Sequence, residues 1–401
     1  MIEKQHIPQK QRPLLSSNKF HLAATTMEGL EEVLSFELKY LGANDIVIKK
    51  RAVEFVGDKD LIYKANLRLR TALKILKPIL AFTATNETEL YEHAKKYPWD
   101  EVFDLKQTFA ITSSTHSTIF RHSQYAALKI KDAIADFFRE KYGERPNVDT
   151  VEPDIKINIH INEEKCELSL DSSGEILNHR GYREKASLAP INECLAAGMI
   201  LLSGWQRNSD FVDPMCGSGT IAIEAALIAR NIAPGLLREK FGFMNWKDFD
   251  QDVFEKIHDA TIDKIEDFNF KIIASDISKK TLDIAMNNAA IAKVDDTIEF
   301  SLADFTIDER HIENALVMFN PPYGDRLKNE NIEEYYKAIG DSLKKNWNGN
   351  VAWLLTANLD ALKFLGLSTS RKIKLFNGPL ECRMVKYELY KGSKKSKSNQ
   401  S

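Results

Sequence analysis

Residues 315–323 read Ala315-Leu316-Val317-Met318-Phe319-Asn320-Pro321-Pro322-Tyr323, and Gly324-Asp325-Arg326 follow. A short, continuously apolar run that stops at Asn-Pro-Pro predicts a buried parallel strand whose chain turns sharply at its carboxyl end. Open α/β sheets bind ligands at that end. The two prolines fix the backbone direction, Asn320 offers an amide that both donates and accepts, and Tyr323 offers a flat face able to stack on a base. Alone, the stretch reads equally well as an ordinary turn after a strand, so its neighbours decide.

The same rhythm repeats on both sides. Residues 211–213 are a strand end, 214–220 a loop, and 221–230 a helix closed by Ala233-Pro234-Gly235; 271–275 is a strand ending at Asp276, with a helix over 278–292. A third strand, 298–302, runs into Ala303-Asp304-Phe305, and the strand at 316 is the fourth. A helix over 331–347, a fifth strand at 351–356 and a closing pair at 371–376 and 383–390 complete the series. This alternation predicts an α/β fold with a doubly wound, mostly parallel sheet whose last strand is antiparallel. A largely apolar helix over 191–205, with Pro190 at its first position, leads into it. Residues 236–268 interrupt the rhythm with Phe241, Phe243, Trp246 and Phe249, at no period that defines an element.

Four chemical features fall at the carboxyl ends of successive strands. In Asp213-Pro214-Met215-Cys216-Gly217-Ser218-Gly219-Thr220 the glycines let the backbone approach a ligand, and the following helix presents free N–H groups. Gly-Lys-Ser/Thr is missing, so this is no P-loop, and Ile221-Ala222 stand where a third glycine would complete a dinucleotide fingerprint. Asp276, beside Ile277, ends the second strand, where a carboxylate can accept both hydroxyls of a ribose. Asp304, beside Phe305, is placed to accept the amino group of an adenine, and Asn320 is the fourth feature. Either acid could be a plain helix cap, Asp276 above all. The coincidence of both with the glycine loop and Asn320 favours a site for an adenosine-containing cofactor. An NAD-linked oxidoreductase is a rival, opposed by the missing glycine and by Asp276 lying much further on than the usual spacing of about 20 residues.

At 401 residues the chain is long enough for two or three domains. No stretch approaches the roughly 18 apolar residues of a membrane span, and the amino terminus has no secretory apolar region, which predicts a cytoplasmic protein without membrane contact. Cys166, Cys194, Cys216 and Cys382 form no Cys-x-x-Cys pair, so buried reduced thiols are expected, and neither a metal nor a disulfide framework. A formal net charge of −3 argues against holding nucleic acid by overall positive charge but leaves room for local basic patches.

Residues 1–18 and 391–401 read as polar tails, the second basic. Between them, 20–24 predicts a strand, 27–41 a helix, 45–49 and 52–56 short strands, and 60–76 a helix carrying Lys64, Arg68, Arg70 and Lys74. A strand at 109–113, a helix at 124–142 and a hairpin of 155–161 with 165–171 follow. Arg121-His122-Ser123-Gln124-Tyr125 stands where a helix N-terminus would meet a phosphate, with Lys129 off the apolar stripe; simple capping is an equal reading. His179-Arg180-Gly181-Tyr182-Arg183 could touch RNA, or bridge two domains by salt bridges.

Residues 213–220, Asp276, Asp304 and 320–323 together resemble the class I, S-adenosylmethionine-dependent methyltransferases that modify exocyclic amines of bases. Residues 121–125, Arg145-Pro146-Asn147-Val148-Asp149, 179–183 and Asn377-Gly378-Pro379-Leu380-Glu381-Cys382 are similar to the RlmL family, bacterial large-subunit rRNA guanine-N2 methyltransferases. The resemblance covers 20–390. It implies a ferredoxin-like segment at 19–58, a THUMP RNA-binding domain at 59–172, a linker at 173–189 and a Rossmann-like methyltransferase domain at 190–390. It implies S-adenosylmethionine held by Asp213, Pro214, Cys216, Gly217, Ser218, Gly219, Thr220, Asp276, Ile277, Asp304, Phe305 and Asn320, and catalysis by Asn320, Pro321, Pro322 and Tyr323. RNA contact falls to Arg121, Gln124, Tyr125, Lys129, Arg180 and Arg183. The implied partner is 23S rRNA or a pre-50S particle. A THUMP-type tRNA guanine-N2 methyltransferase, an adenine-N6 methyltransferase and a non-catalytic RNA-binding assembly factor are the alternatives. Some family members carry a second methyltransferase after this point, and no second activity is expected here.

Overall fold

The computed structural model describes residues 18–183, 191–322 and 332–390. Nearly all of the 1–18 tail, the 391–401 tail, Pro190, and Tyr323 with Gly324-Asp325-Arg326 lie outside the described residues. The amino-terminal half holds β1 (Phe20–Thr26), α1 (Glu31–Tyr40), β2 (Asn44–Lys49), β3 (Ala52–Gly57), α2 (Lys59–Arg68), β4 (Ala72–Thr83), α3 (Glu87–Lys95), β5 (Phe109–His116), α4 (Ser123–Tyr142), β6 (Ile155–Asn162) and β7 (Lys165–Asp171). The carboxyl-terminal half holds α5 (Glu193–Ser203), β8 (Phe211–Asp213), α6 (Thr220–Ala229), α7 (Gln251–Ile262), β9 (Ile272–Asp276), α8 (Lys279–Ile291), β10 (Ile298–Leu302), β11 (Leu316–Phe319), α9 (Ile332–Asn346), β12 (Val351–Thr356), β13 (Arg371–Asn377) and β14 (Leu380–Glu388).

Among the described residues the strands form two seven-stranded sheets, ordered β2-β3-β1-β4-β7-β6-β5 and β10-β9-β8-β11-β12-β14-β13. In the second, β10, β9, β8, β11 and β12 run parallel, and β14 runs antiparallel to β12. This is the doubly wound, mostly parallel sheet that the alternation predicts. All four residues of β11 are buried because helices cover both faces. Leu316 and Met318 face the core shared with α5, α6 and α8, and Val317 and Phe319 face the core shared with α9. The strand order reverses between β8 and β11, which opens a crevice at their carboxyl ends.

The first sheet is continuous because β4 pairs with β1 on one edge and β7 on the other. Here the sequence expectation fails: residues 60–76 are not one helix. The helix stops at Arg68, and residues 72–83 are a twelve-residue strand that accommodates Pro78 through a register shift between Pro78 and Leu80. The supposed basic helix therefore dissolves. Arg70 points into the domain junction, and Lys74 on β4 pairs with Asp171 at 2.8 Å. The helix expected over 191–205 runs from Glu193 to Ser203, and the Asn192 side chain caps it.

The aromatic insertion resolves into short turns and α7. Phe241, Phe243, Trp246, Phe254 and Ile257 belong to the core of the first sheet, not the second. Tyr63 of α2 sits in their midst, with ring centroids 4.6 Å from Phe243, 5.9 Å from Phe249 and 5.8 Å from Phe254. In exchange, Met27 and Leu30, between β1 and α1, are buried in the core of the second sheet. The two halves thus complete each other's interiors.

Candidate active site

The glycine loop after β8 is stapled to the end of β9. Cys216 N–H donates to Ser275 O at 2.9 Å, Gly217 N–H to Asp276 Oδ2 at 3.0 Å, and Gly219 N–H to Cys216 O at 2.8 Å. Gly217 and Gly219 both have positive φ, 55° and 83°. A Cβ on Gly219 would stand 3.0 Å from Ala285 Cβ, whereas one on Gly217 would meet nothing within 4 Å. The first glycine therefore borders open space where a ligand can approach the backbone. Asn288 Nδ2 holds Ser218 O at 3.0 Å from beneath.

Asp276 accepts from Ser278 N–H at 2.9 Å through Oδ1, while Ser278 itself caps α8. Each carboxylate oxygen therefore already holds one protein donor and keeps further lone pairs for a ligand. Ile277 beside it is 69% exposed, an apolar side chain standing at the mouth of the site. Asp304 takes Thr306 N–H at 2.9 Å and its hydroxyl at 2.6 Å on Oδ1. The Phe305 ring is buried against Phe319 and Trp347, at centroid distances of 5.2 and 5.4 Å, so the ring supports the floor beside Asp304 and only the backbone of Phe305 is left to meet a cofactor.

Asp213 is fully buried, and burial pushes its carboxyl well above the usual range, against the pull of the Met215 and Ala222 amides. Burial, with Asp213 and Asp276 nearby, likewise pushes the Cys216 thiol up. Pro214 is buried, and its carbonyl faces the Ser275 hydroxyl at 3.5 Å. Thr220 is the first residue of α6. Across the crevice, Asn320 follows β11; its Oδ1 is shielded from solvent and has no hydrogen-bond partner among the described residues. Pro321 is buried and Pro322 half-buried beside it. Tyr323 lies outside the described residues. The four cysteines are buried and in no disulfide, and the described residues contain no cluster of three or more His, Cys, Asp or Glu able to hold a metal.

Of the residues expected to touch RNA, Arg121, Gln124 and Tyr125 are exposed at the amino-terminal end of α4, with the Lys129 ammonium 5.4 Å from the Tyr125 ring centroid. His122, the cap residue, makes no side-chain cap bond among the described residues, so this end is not closed by simple capping. Arg180 is a correction. It is 2% exposed, donates to Leu177 O at 2.8 Å and to Arg70 O, and lies 3.4 Å from Glu224, so it cannot reach a ligand. Arg183 is also engaged internally, with Thr220, Ile191 and Glu193. Sequence reasoning missed Asn288 and Arg310. The latter spans the ends of β9 and β10 by donating to Ser275 Oγ at 3.1 Å and Ser301 Oγ at 2.9 Å. The one signal for Asn288 was its position in the apolar stripe of α8, in phase with Leu282, Ala285 and Ala289.

The sheet order and a glycine loop, two strand-end acids and an asparagine around its switch point define a class I, Rossmann-like methyltransferase. Family models agree over most of the chain: the RMKL-like methyltransferase domain over residues 180–386, the THUMP domain over 84–171 and the RlmL ferredoxin-like domain over 21–76. The chain belongs to the RMKL-like methyltransferase family. A Synechocystis protein named "Putative RNA methyltransferase slr0064" is 37% identical over 369 residues, which are 92% of this chain and 96% of that one. The ribosomal RNA large subunit methyltransferase K/L of Shewanella frigidimarina is 38% identical over 382 residues, 93% of this chain but 53% of its own length. The chain thus spans about half of that relative. The crystal structure of SMU.472 complexed with SAH superposes with a TM-score of 0.84 at 28% identity, covering 94% of this chain and 100% of that chain. S-adenosylmethionine is the cofactor of the family. The residues present fit it: open space over Gly217, and carboxylates at Asp276 and Asp304 for hydroxyl and amine donors.

Proposed function

We propose that the chain methylates the exocyclic N2 amine of a guanine in large-subunit ribosomal RNA. The observation that carries this reading is the Asn320 Oδ1, an acceptor shielded from water and unpartnered among the described residues, at the end of β11. A guanine N2 amine is a weak nucleophile because its lone pair is delocalised into the ring. Bound S-adenosylmethionine supplies an electrophilic methyl group. Asn320 Oδ1 and the Pro321 carbonyl accept hydrogen bonds from the amine and hold it pyramidal, its lone pair free for the methyl. The neutral amide takes no proton, so the proton released on methylation passes to water. Tyr323 is assigned by its place in the sequence to stack on the base, which must leave its own stack.

RNA as substrate is supported by the THUMP match, by the names of the relatives, and by the exposed Arg121, Gln124 and Tyr125 with the half-buried Lys129 beside them. Guanine-N2 and the 23S molecule, free or in a pre-50S particle, rest on the resemblance to the RlmL family. A cytoplasmic location accords with that substrate, and no helix among the described residues is long and apolar enough to cross a membrane. Mapping modified bases in rRNA from cells with and without the gene tests the reading. Loss of one N2-methylguanine from the large-subunit RNA is expected; an intact rRNA map with a methyl group missing from tRNA would overturn it.

A further inference from the structure

We infer that Arg183 is a positioning residue for the anionic end of the cofactor, acting through the hydroxyl of Thr220. Thr220 opens α6 directly after the glycine loop and is 2% exposed. Arg183 Nη2 donates to Thr220 Oγ1 at 2.9 Å and to Ile191 O at 3.2 Å, and the same nitrogen lies 3.1 Å from Glu193 Oε1. A guanidinium has donors only, so the threonine oxygen must accept here, and its single hydrogen is left to donate elsewhere. That hydroxyl, polarised by a cation, stands at the N-terminus of α6, where the helix dipole favours negative charge, although the Ala222 amide of that turn is drawn to Asp213. Of the acids nearby, Glu193 shares this guanidinium nitrogen, Glu224 is taken up by Arg180 and the Tyr182 hydroxyl, and burial pushes the Asp213 carboxyl up.

S-adenosylmethionine has one anionic group, the carboxylate of its methionine end. Its ribose hydroxyls and adenine amine are donors and suit the acids at Asp276 and Asp304. The donor cluster around Thr220 therefore matches the carboxylate. The rest of α6 is held independently of Arg183: Glu224 receives Arg180 and the Tyr182 hydroxyl, and Arg70 donates to Leu227 O and Ile232 O. Replacing Arg183 thus alters the cluster without releasing the helix. The inference concerns the cofactor alone and does not depend on which base is methylated.

Calorimetry with two ligands tests it: S-adenosylhomocysteine, which carries the carboxylate, and methylthioadenosine, which lacks the amino-acid end. Arg183→Gln and Thr220→Val should each weaken S-adenosylhomocysteine about tenfold, equivalent to ~1.4 kcal/mol. Methylthioadenosine should stay within about twofold of wild type, Thr220→Ser should rescue, and the double variant should bind no worse than either single one. Equal loss on both ligands, no loss on S-adenosylhomocysteine, or additive losses would each overturn the inference. If Arg183→Gln does not fold, the Thr220 variants decide: Val behaving like Ser sinks the idea.

Discussion

An amide oxygen buried without a partner costs about 1–3 kcal/mol unless a ligand arrives to use it. Asn320 Oδ1 is in that condition among the described residues, which makes the side chain the sharpest point at which to test the chemistry. Asn320→Ala should lower turnover about 100- to 1,000-fold, the usual cost of removing one preorganised hydrogen-bonding group. Its affinity for S-adenosylhomocysteine should hold within about threefold, since the interactions around Gly217 and Asp276 are untouched. Radiolabelled methyl transfer and titration measure the two quantities; near wild-type turnover would refute the role. The places of Asp276 and Asn320 at strand ends, and of Gly217 in the loop after β8, were legible in the sequence because short apolar runs mark those strands. Arg180 was misread, and the burial of the Phe305 ring went unforeseen, for a common reason. An aromatic beside a site acid, or an arginine between two domains, looks the same in sequence whether it faces ligand or core, and only packing distinguishes them.

Gly340 lies within α9, the helix that covers one face of β11 and β12. In an exposed helix, alanine in place of glycine stabilises by about 1 kcal/mol. Here a Cβ would stand 2.0 Å from Leu365 O and 2.7 Å from its carbonyl carbon, backbone atoms that cannot swing aside. Gly340→Ala should therefore destabilise by ~1–3 kcal/mol, seen as a lower urea midpoint at unchanged slope. A raised midpoint would contradict the packing of α9 on the turn after β12. Such close approach leaves no trace in sequence, where Gly340 is merely a weak spot in a helix. Periodicity, by contrast, recovered β10 and β12 to the residue and most helices of the second half. It failed over 60–76 because an apolar strand following a helix without a turn signal continues the helical pattern until Pro78.

The two halves are joined through a buried charge as well as through exchanged side chains. Burial pushes the Glu224 carboxyl up even with Arg180 and Arg70 beside it, so desolvation weighs heavily on this cluster. Glu224→Ala should cost ~3–5 kcal/mol by stranding Arg180, whereas replacing Arg180 with Met and Glu224 with Leu together should recover most of that. Denaturant unfolding reads both, and a double variant as unstable as the single one would argue against an ion-pair origin. The junction was illegible beforehand, since Tyr63 and Phe243 lie far apart in the chain and no local pattern links them. That junction also sets a timetable at the ribosome. The first sheet receives its last strand at Asp171, yet Phe241, Phe243, Trp246, Phe254 and Ile257, which finish its interior, are translated later. The nascent amino-terminal half thus emerges with apolar surface uncovered, and its maturation waits until elongation has passed α7.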